Sequence, residues 1–182
     1  MSRPKPNDAQ REPQASHQHR LGGGMLVVMW LLVLGLLTYA FSTWLDHAHN
    51  PNRHADSLVR GDGGHEVVLQ RNRYGHYVAS GTINGQPVTF MLDTGASDIS
   101  IPAGIAERLG LKRGPEMTYQ TAAGPAVNYL TRLDRIAIGN IALHNVRASI
   151  NPNVDDDEVL LGMSFLGRVE INQKGDTLTL KQ

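Results

Sequence analysis

The stretch FMLDTGASDISIP, Phe90 to Pro102, constrains this chain more tightly than any other. An apolar run delivers Asp93 into a turn containing Gly95, and a second apolar run, Ile99 to Ile101, carries the chain away. Two buried strands around a short polar turn place a carboxylate at a loop tip, where backbone N–H groups and a second carboxylate can reach it. Asp93 is therefore the candidate for chemistry. Thr94 brings a hydroxyl that can hold the loop by hydrogen bonding, and Gly95 permits backbone angles and close approaches that a Cβ forbids. Ala96 keeps the packing tight. The same letters also spell an ordinary Asx-turn, so the weight falls on what accompanies them.

A continuous apolar run, VLLGMSFL from Val159 to Leu166, has the composition of a fully buried strand feeding a short helix, with Gly162 at the join. An apolar Asp-Thr-Gly loop followed by an apolar-apolar-Gly strand, in a domain of about 120 residues, resembles the retropepsin-like aspartic proteases. Within them it is most similar to the bacterial membrane-anchored group, which shares the LLGMSFL segment almost as it stands here. The resemblance covers Glu66 to Lys181. It implies a partly closed β-barrel with Asp93 as the catalytic acid and Thr94, Gly95, Ala96 and Gly162 supporting the active loop. It also implies a flap over the substrate in Met117 to Leu133, with Thr121, Ala122, Ala123 and Gly124 at the tip.

The residues themselves give a strand-dominated, all-β pattern. Glu66–Gln70 and His76–Ile83 have strand composition, and Asn84-Gly85 is a strong hairpin signal returning through Pro87 to Leu92. Tyr119–Thr121, Val127–Leu133, Ile136–Ile138, Ile141–Ile150 and Thr177–Lys181 read as further strands, the last of them free to pair with a second subunit. One short helix is expected over Ala103–Leu109, closed by Gly110. A second follows Gly162.

Hydrolysis by carboxylates needs two of them sharing one proton, one activating a water and the other polarising the scissile carbonyl. This chain has a single Asp-Thr-Gly. The resemblance therefore implies a symmetric homodimer, with Asp93 of each copy forming the dyad, Thr94 bonding across the two-fold axis, and peptide or protein as substrate. No cofactor and no metal are expected. The alternative is a non-catalytic peptide-binding module on the same fold, although a groove alone has no use for a carboxylate at the loop tip.

Composition removes other classes. Lys+Arg and Asp+Glu are both 17, so a nucleic-acid partner has no electrostatic footprint. Cysteine is absent, which excludes disulfides, thiolate metal sites and a cysteine nucleophile. Consecutive acids at Asp155 to Glu158 lack the alternation and central glycine of an EF-hand loop. His47, His49 and His54 sit in a polar stretch with no fixed ligand geometry.

The chain divides into four stretches. Residues 1–24 have the composition of a disordered tail. Met25 to Trp44 is uncharged for about 20 residues, enough to cross a hydrocarbon core about 30 Å thick as a helix, with Tyr39 and Trp44 near one interface. Its length and the polar tail before it favour an uncleaved anchor over a signal peptide. Arg3, Lys5, Arg11 and Arg20 precede it, which places the tail in the cytoplasm and the rest beyond the inner membrane, in the periplasm or its equivalent. Residues 45–65 read as a flexible linker, and residues 66–182 as the folded domain.

Overall fold

The computed structural model describes residues 18–182 apart from Arg60, Asp62, Ala122 and Ala123; the tail expected over residues 1–24 lies mostly outside them. The chain forms two compact units that meet in sequence at Thr43 and Trp44. A long helix, α1 (Gln18–His49), carries the apolar stretch. Within it Gly24–His49 has mean hydropathy 2.2 and is long and apolar enough to cross a membrane. Its Met, Leu, Val, Trp and Tyr side chains are exposed, Leu32 and Tyr39 among the most so. In water such a helix leaves a large apolar surface unburied.

The second unit is mostly β. Its strands are β1 (Asp56–Val59), β2 (His65–Gln70), β3 (Val78–Ile83), β4 (Gln86–Leu92), β5 (Ile99–Pro102), β6 (Glu116–Thr121), β7 (Gly124–Ile138), β8 (Ile141–Asn151), β9 (Glu158–Leu161), β10 (Glu170–Lys174) and β11 (Thr177–Lys181). Two short helices intervene, α2 (Ala103–Arg108) and α3 (Met163–Leu166). Asn84 and Gly85 take φ of 50° and 82°, the left-handed pair that a two-residue turn between β3 and β4 requires. Gly110, at φ 65°, ends α2 in the same way.

The larger sheet runs β3-β4-β9-β5-β8-β7-β6, and an additional β3–β7 pairing joins its two sides. Six strands thus curl into a ring, with β6 outside it. The ring is only partly closed, since β5 and β9 meet at the single pair Ser100↔Leu160. Inside lie Phe90, Ile99, Ile101, Leu133, Ile136, Ile150, Leu161 and Phe165, all fully buried. All but Phe165, which α3 contributes, lie on strands, and their removal from water is the main force closing the barrel.

The smaller sheet runs β1-β2-β11-β10. β11 shows the period-two alternation of a half-buried strand, with Leu178 and Leu180 turned inward. Here the structure corrects the expectation that β11 offers an edge to a second subunit. Both of its edges are used, by β2 and by β10, because Leu178 and Leu180 are buried only when it lies centrally. The outer strands are β1 and β10.

Part of the stretch expected as a flexible linker is built into this unit. β1 pairs along its whole length with β2. Asn50 and Asn52 are buried. The Asn52 amide donates to the carbonyls of Gln70 (2.9 Å) and Val78 (2.7 Å) and accepts from the Gln70 N–H (2.7 Å), so it ties the end of β2 to the start of β3. That one side chain joins the two sheets. Asn52→Ala leaves three backbone groups without these partners and is expected to cost about 3 kcal/mol. Urea unfolding of the full chain in detergent checks it, and a midpoint equal to wild type would exclude this role.

Candidate active site

Parallel pairing is what assembles the site. β4 and β9 run parallel from Thr89↔Glu158 to Leu92↔Leu161, so the residues that follow them, Asp93 and Gly162, emerge side by side. The Asp93 N–H donates to the Leu161 carbonyl at 3.1 Å, which continues the ladder by one step. The loop then folds back on itself. Gly95 N–H donates to Asp93 Oδ1 at 2.8 Å and Ala96 N–H to the Asp93 carbonyl at 3.3 Å.

Gly162 locks the other side of the loop. A Cβ there would stand 2.2 Å from the Asp98 carbonyl oxygen and 2.6 Å from that of Ala96, so only glycine fits. Beyond it Met163 N–H donates to Ala96 O (2.8 Å) and Ser164 N–H to Ser97 O (3.0 Å). Ser164 Oγ accepts from Ile99 N–H at 3.1 Å. The Asp93 loop is thus held between β9 and the first turn of α3 by backbone bonds and by the Ser164 hydroxyl. Gly95 needs its missing Cβ for a milder reason. Its φ is not in the left-handed region, and an added Cβ would come within 3.1 Å of Asp93 Oδ1.

Asp93 is partly exposed, and Thr94 is exposed. Asp93, Gly95 and Ala96 line a cleft of about 430 Å³ together with Asp98, Tyr119, Gln120, Thr121, Asn128 and Ser149. Gly162 is buried behind this cleft rather than in it. Two other hollows, each about 730 Å³, are larger but contain none of the loop residues.

The hairpin of β6 and β7 supplies the opposite wall. The two strands pair from Glu116↔Tyr129 to Thr121↔Gly124. Thr121 reaches the cleft and its hydroxyl donates to the Gly124 carbonyl at 2.7 Å, while Gly124 takes φ of 110° at the turn. Ala122 and Ala123, the remaining expected tip residues, lie outside the described residues.

Five cleft and cleft-side residues were not singled out from sequence. Asp98, only 8% exposed, accepts at Oδ2 from the Tyr119 hydroxyl (2.6 Å) and forms an ion pair there with Arg147 Nη2 (2.9 Å), which also donates to Met117 Sδ (3.2 Å). Burial, then the bond to Asp98, pushes the Tyr119 hydroxyl above its ordinary pKa. The bond to Tyr119 and the charge of Asp98 push the Arg147 guanidinium further up. Buried Asn128 donates to Ser149 Oγ at 3.1 Å. The one available signal was that Tyr119 occupies a strand of the expected flap with Asp98 five residues past Asp93; their meeting is a long-range event that no local pattern encodes.

Known proteins match this arrangement. A family profile described as "gag-polyprotein putative aspartyl protease" matches residues 79–168, which span β3 to α3 and hence the Asp93 loop and the β6–β7 hairpin. The crystal structure of a retropepsin-like aspartic protease from Rickettsia conorii aligns with a TM-score of 0.56 at 31% identity, covering 70% of this chain and 94% of that one. An uncharacterised protein encoded in the cobV 5′ region of a Sinorhizobium species is 33% identical over 177 residues, 90% of this chain and 76% of that relative. The uncharacterised protein RP867 of Rickettsia prowazekii is 34% identical over 107 residues, 57% of this chain and 45% of its own length.

Proposed function

The chain belongs to the retropepsin-like aspartic proteases, and from that premise we propose that it is an endopeptidase anchored by α1 in the inner membrane, with its protease domain on the periplasmic or equivalent face. Two copies form the active enzyme. Asp93 of each contributes one carboxylate; one is ionised and takes a proton from the attacking water, and the other is protonated and polarises the scissile carbonyl. Adjacent carboxylates share a proton most readily on the acidic side of neutrality, so activity is expected there. Thr94 of each copy bonds across the two-fold axis, and the β6–β7 hairpins cover the peptide and exclude water.

The observation that carries this reading is the placement of Asp93. It lines a cleft on a loop fixed from behind through Gly162, and the sequence holds one Asp-Thr-Gly. A loop held that rigidly suits a group whose geometry matters to a reaction. The exposure of Thr94 beside it supports a partner at that surface. The exposed apolar side chains of Met25 to Trp44 and the basic residues preceding that stretch support anchoring with the tail in the cytoplasm. Confinement to one membrane raises the encounter rate of two weakly associating domains.

A dilution series tests the dimer. If two chains complete one site and associate weakly, halving the concentration of the full chain in detergent lowers total peptide cleavage about fourfold, by mass action. Light scattering on the same samples follows the mass. Cleavage that stays proportional to chain concentration while the mass is that of one protomer overturns the proposal.

A further inference from the structure

Resting on the protease reading above, we propose that Arg147 and Tyr119 set the specificity of the cleft. By occupying the Asp98 carboxylate they make the enzyme select uncharged side chains near the scissile bond, and removal of Arg147 turns that part of the cleft toward lysine.

A carboxylate in the wall of a substrate cleft ordinarily attracts a cationic side chain, because a charge-assisted bond in a desolvated site is strong. Asp98 is such a carboxylate. It is almost fully buried and lines the same cleft as Asp93, from the same loop. Its Oδ2 is already taken twice, by the Tyr119 hydroxyl from β6 and by Arg147 from β8. Arg147 does not line the cleft. It is half exposed and approaches from an outer hollow that it shares with Lys112, Arg113 and Arg132. The positive charge that balances Asp98 therefore comes from behind the wall, and a lysine entering from the cleft would meet an acid already neutralised, with a second cation beside it.

The neighbouring wall asks for an uncharged donor instead. Asn128 is 5% exposed, lines the cleft, and donates to Ser149, while its Oδ1 is buried with no partner. A buried acceptor without a donor is an unmet demand that a substrate amide or hydroxyl can satisfy. Exclusion of the charged side chain and acceptance of the neutral donor are then two halves of one discrimination.

The experiment compares peptides identical except for Gln, Leu or Lys, scanned through the positions flanking the cleaved bond. The proteins are the full chain in detergent as wild type, Arg147→Met, Asp98→Asn and the Asp98→Asn/Arg147→Met double variant. Wild type is expected to favour Gln over Lys at one position, and Arg147→Met to shift that ratio toward Lys by about tenfold. In the double variant the shift vanishes, because an amide at position 98 leaves no charge to unmask. Tyr119→Phe, which removes only a hydroxyl, gives a smaller shift of the same sign and serves if Arg147→Met does not fold. The same peptides are titrated onto these proteins in the Asp93→Asn background, with binding read by fluorescence anisotropy. A binding ratio that shifts while no protein cleaves would sink the protease reading and keep this proposal. Cleavage by wild type with a ratio that Arg147→Met and Tyr119→Phe leave unmoved at every position, or a wild type that prefers Lys, overturns this proposal and leaves the protease reading standing.

Discussion

Asp93→Asn is expected to lower peptide hydrolysis by the full chain about a thousandfold or more while leaving the fold intact, the upper range of what positioned acid–base groups contribute. The substitution is nearly isosteric. Its remaining carbonyl oxygen can still accept the Gly95 N–H now bonded to Oδ1 at 2.8 Å, and the backbone bonds of residue 93 to Leu161 and Ala96 do not involve the side chain. The loop therefore has no reason to move. What disappears is the negative charge, and because the proposed dimer is symmetric it disappears from both halves of the dyad at once. No group is left to take a proton from water. Chromatography of peptide products, together with the thermal unfolding midpoint, separates the two effects. Hydrolysis within tenfold of wild type would mean that this carboxylate is not the catalyst. A collapse of the midpoint would instead make it a structural residue of the loop.

Gly162→Ala is expected to act in the opposite way, through the fold. The added methyl would sit 2.2 Å from the Asp98 carbonyl oxygen and 2.6 Å from that of Ala96. Both obstacles are backbone atoms, and Ala96 O is also bonded to Met163 N–H at 2.8 Å. Neither can swing aside as a side chain does. Either β9 or the Asp93 loop must shift, which costs about 3 kcal/mol by the experience of overpacked cores, and a shift of the loop displaces Asp93 as well. Stability and hydrolysis should fall together. Gly104→Ala makes a control in the same unit, since a Cβ there meets nothing within 4 Å; its helical position in α2 predicts a gain of about 0.5 to 1 kcal/mol. If Gly162→Ala unfolds in urea at the wild-type midpoint, the close approach of strand and loop is not a constraint on the protein in solution.

These expectations differ in how far they were visible before the fold was known. The turn at Asn84-Gly85 and the end of α2 at Gly110 are legible because positive φ is a property of single residues and their nearest neighbours. The strand-rich pattern is legible because alternation of apolar positions is local too. Tyr119 and Arg147, by contrast, carry no mark of their bond to Asp98. Asn52 looks like one more polar residue in a hydrophilic stretch, and only the adjacency of β2 and β3 turns its amide into a joint between sheets. Thr177 to Lys181 reads as an edge strand or a central one with equal ease, because period-two burial describes a face and says nothing of neighbours.

What the amino-acid order determined by itself was the kind of chain this is: a β-rich unit with an Asp-Thr-Gly turn between buried strands, a second apolar-Gly strand, and a separate apolar helix of membrane-crossing length. Those features follow from backbone preference and hydrophobic periodicity, which act over a few residues. Only the tertiary structure decided that β4 and β9 run parallel with Asp93 and Gly162 abreast, that β11 is central, and that Asp98 is occupied from behind by Arg147. Such pairings join residues far apart in sequence, and they are settled by which arrangement of all the strands buries the most apolar surface with every backbone group satisfied.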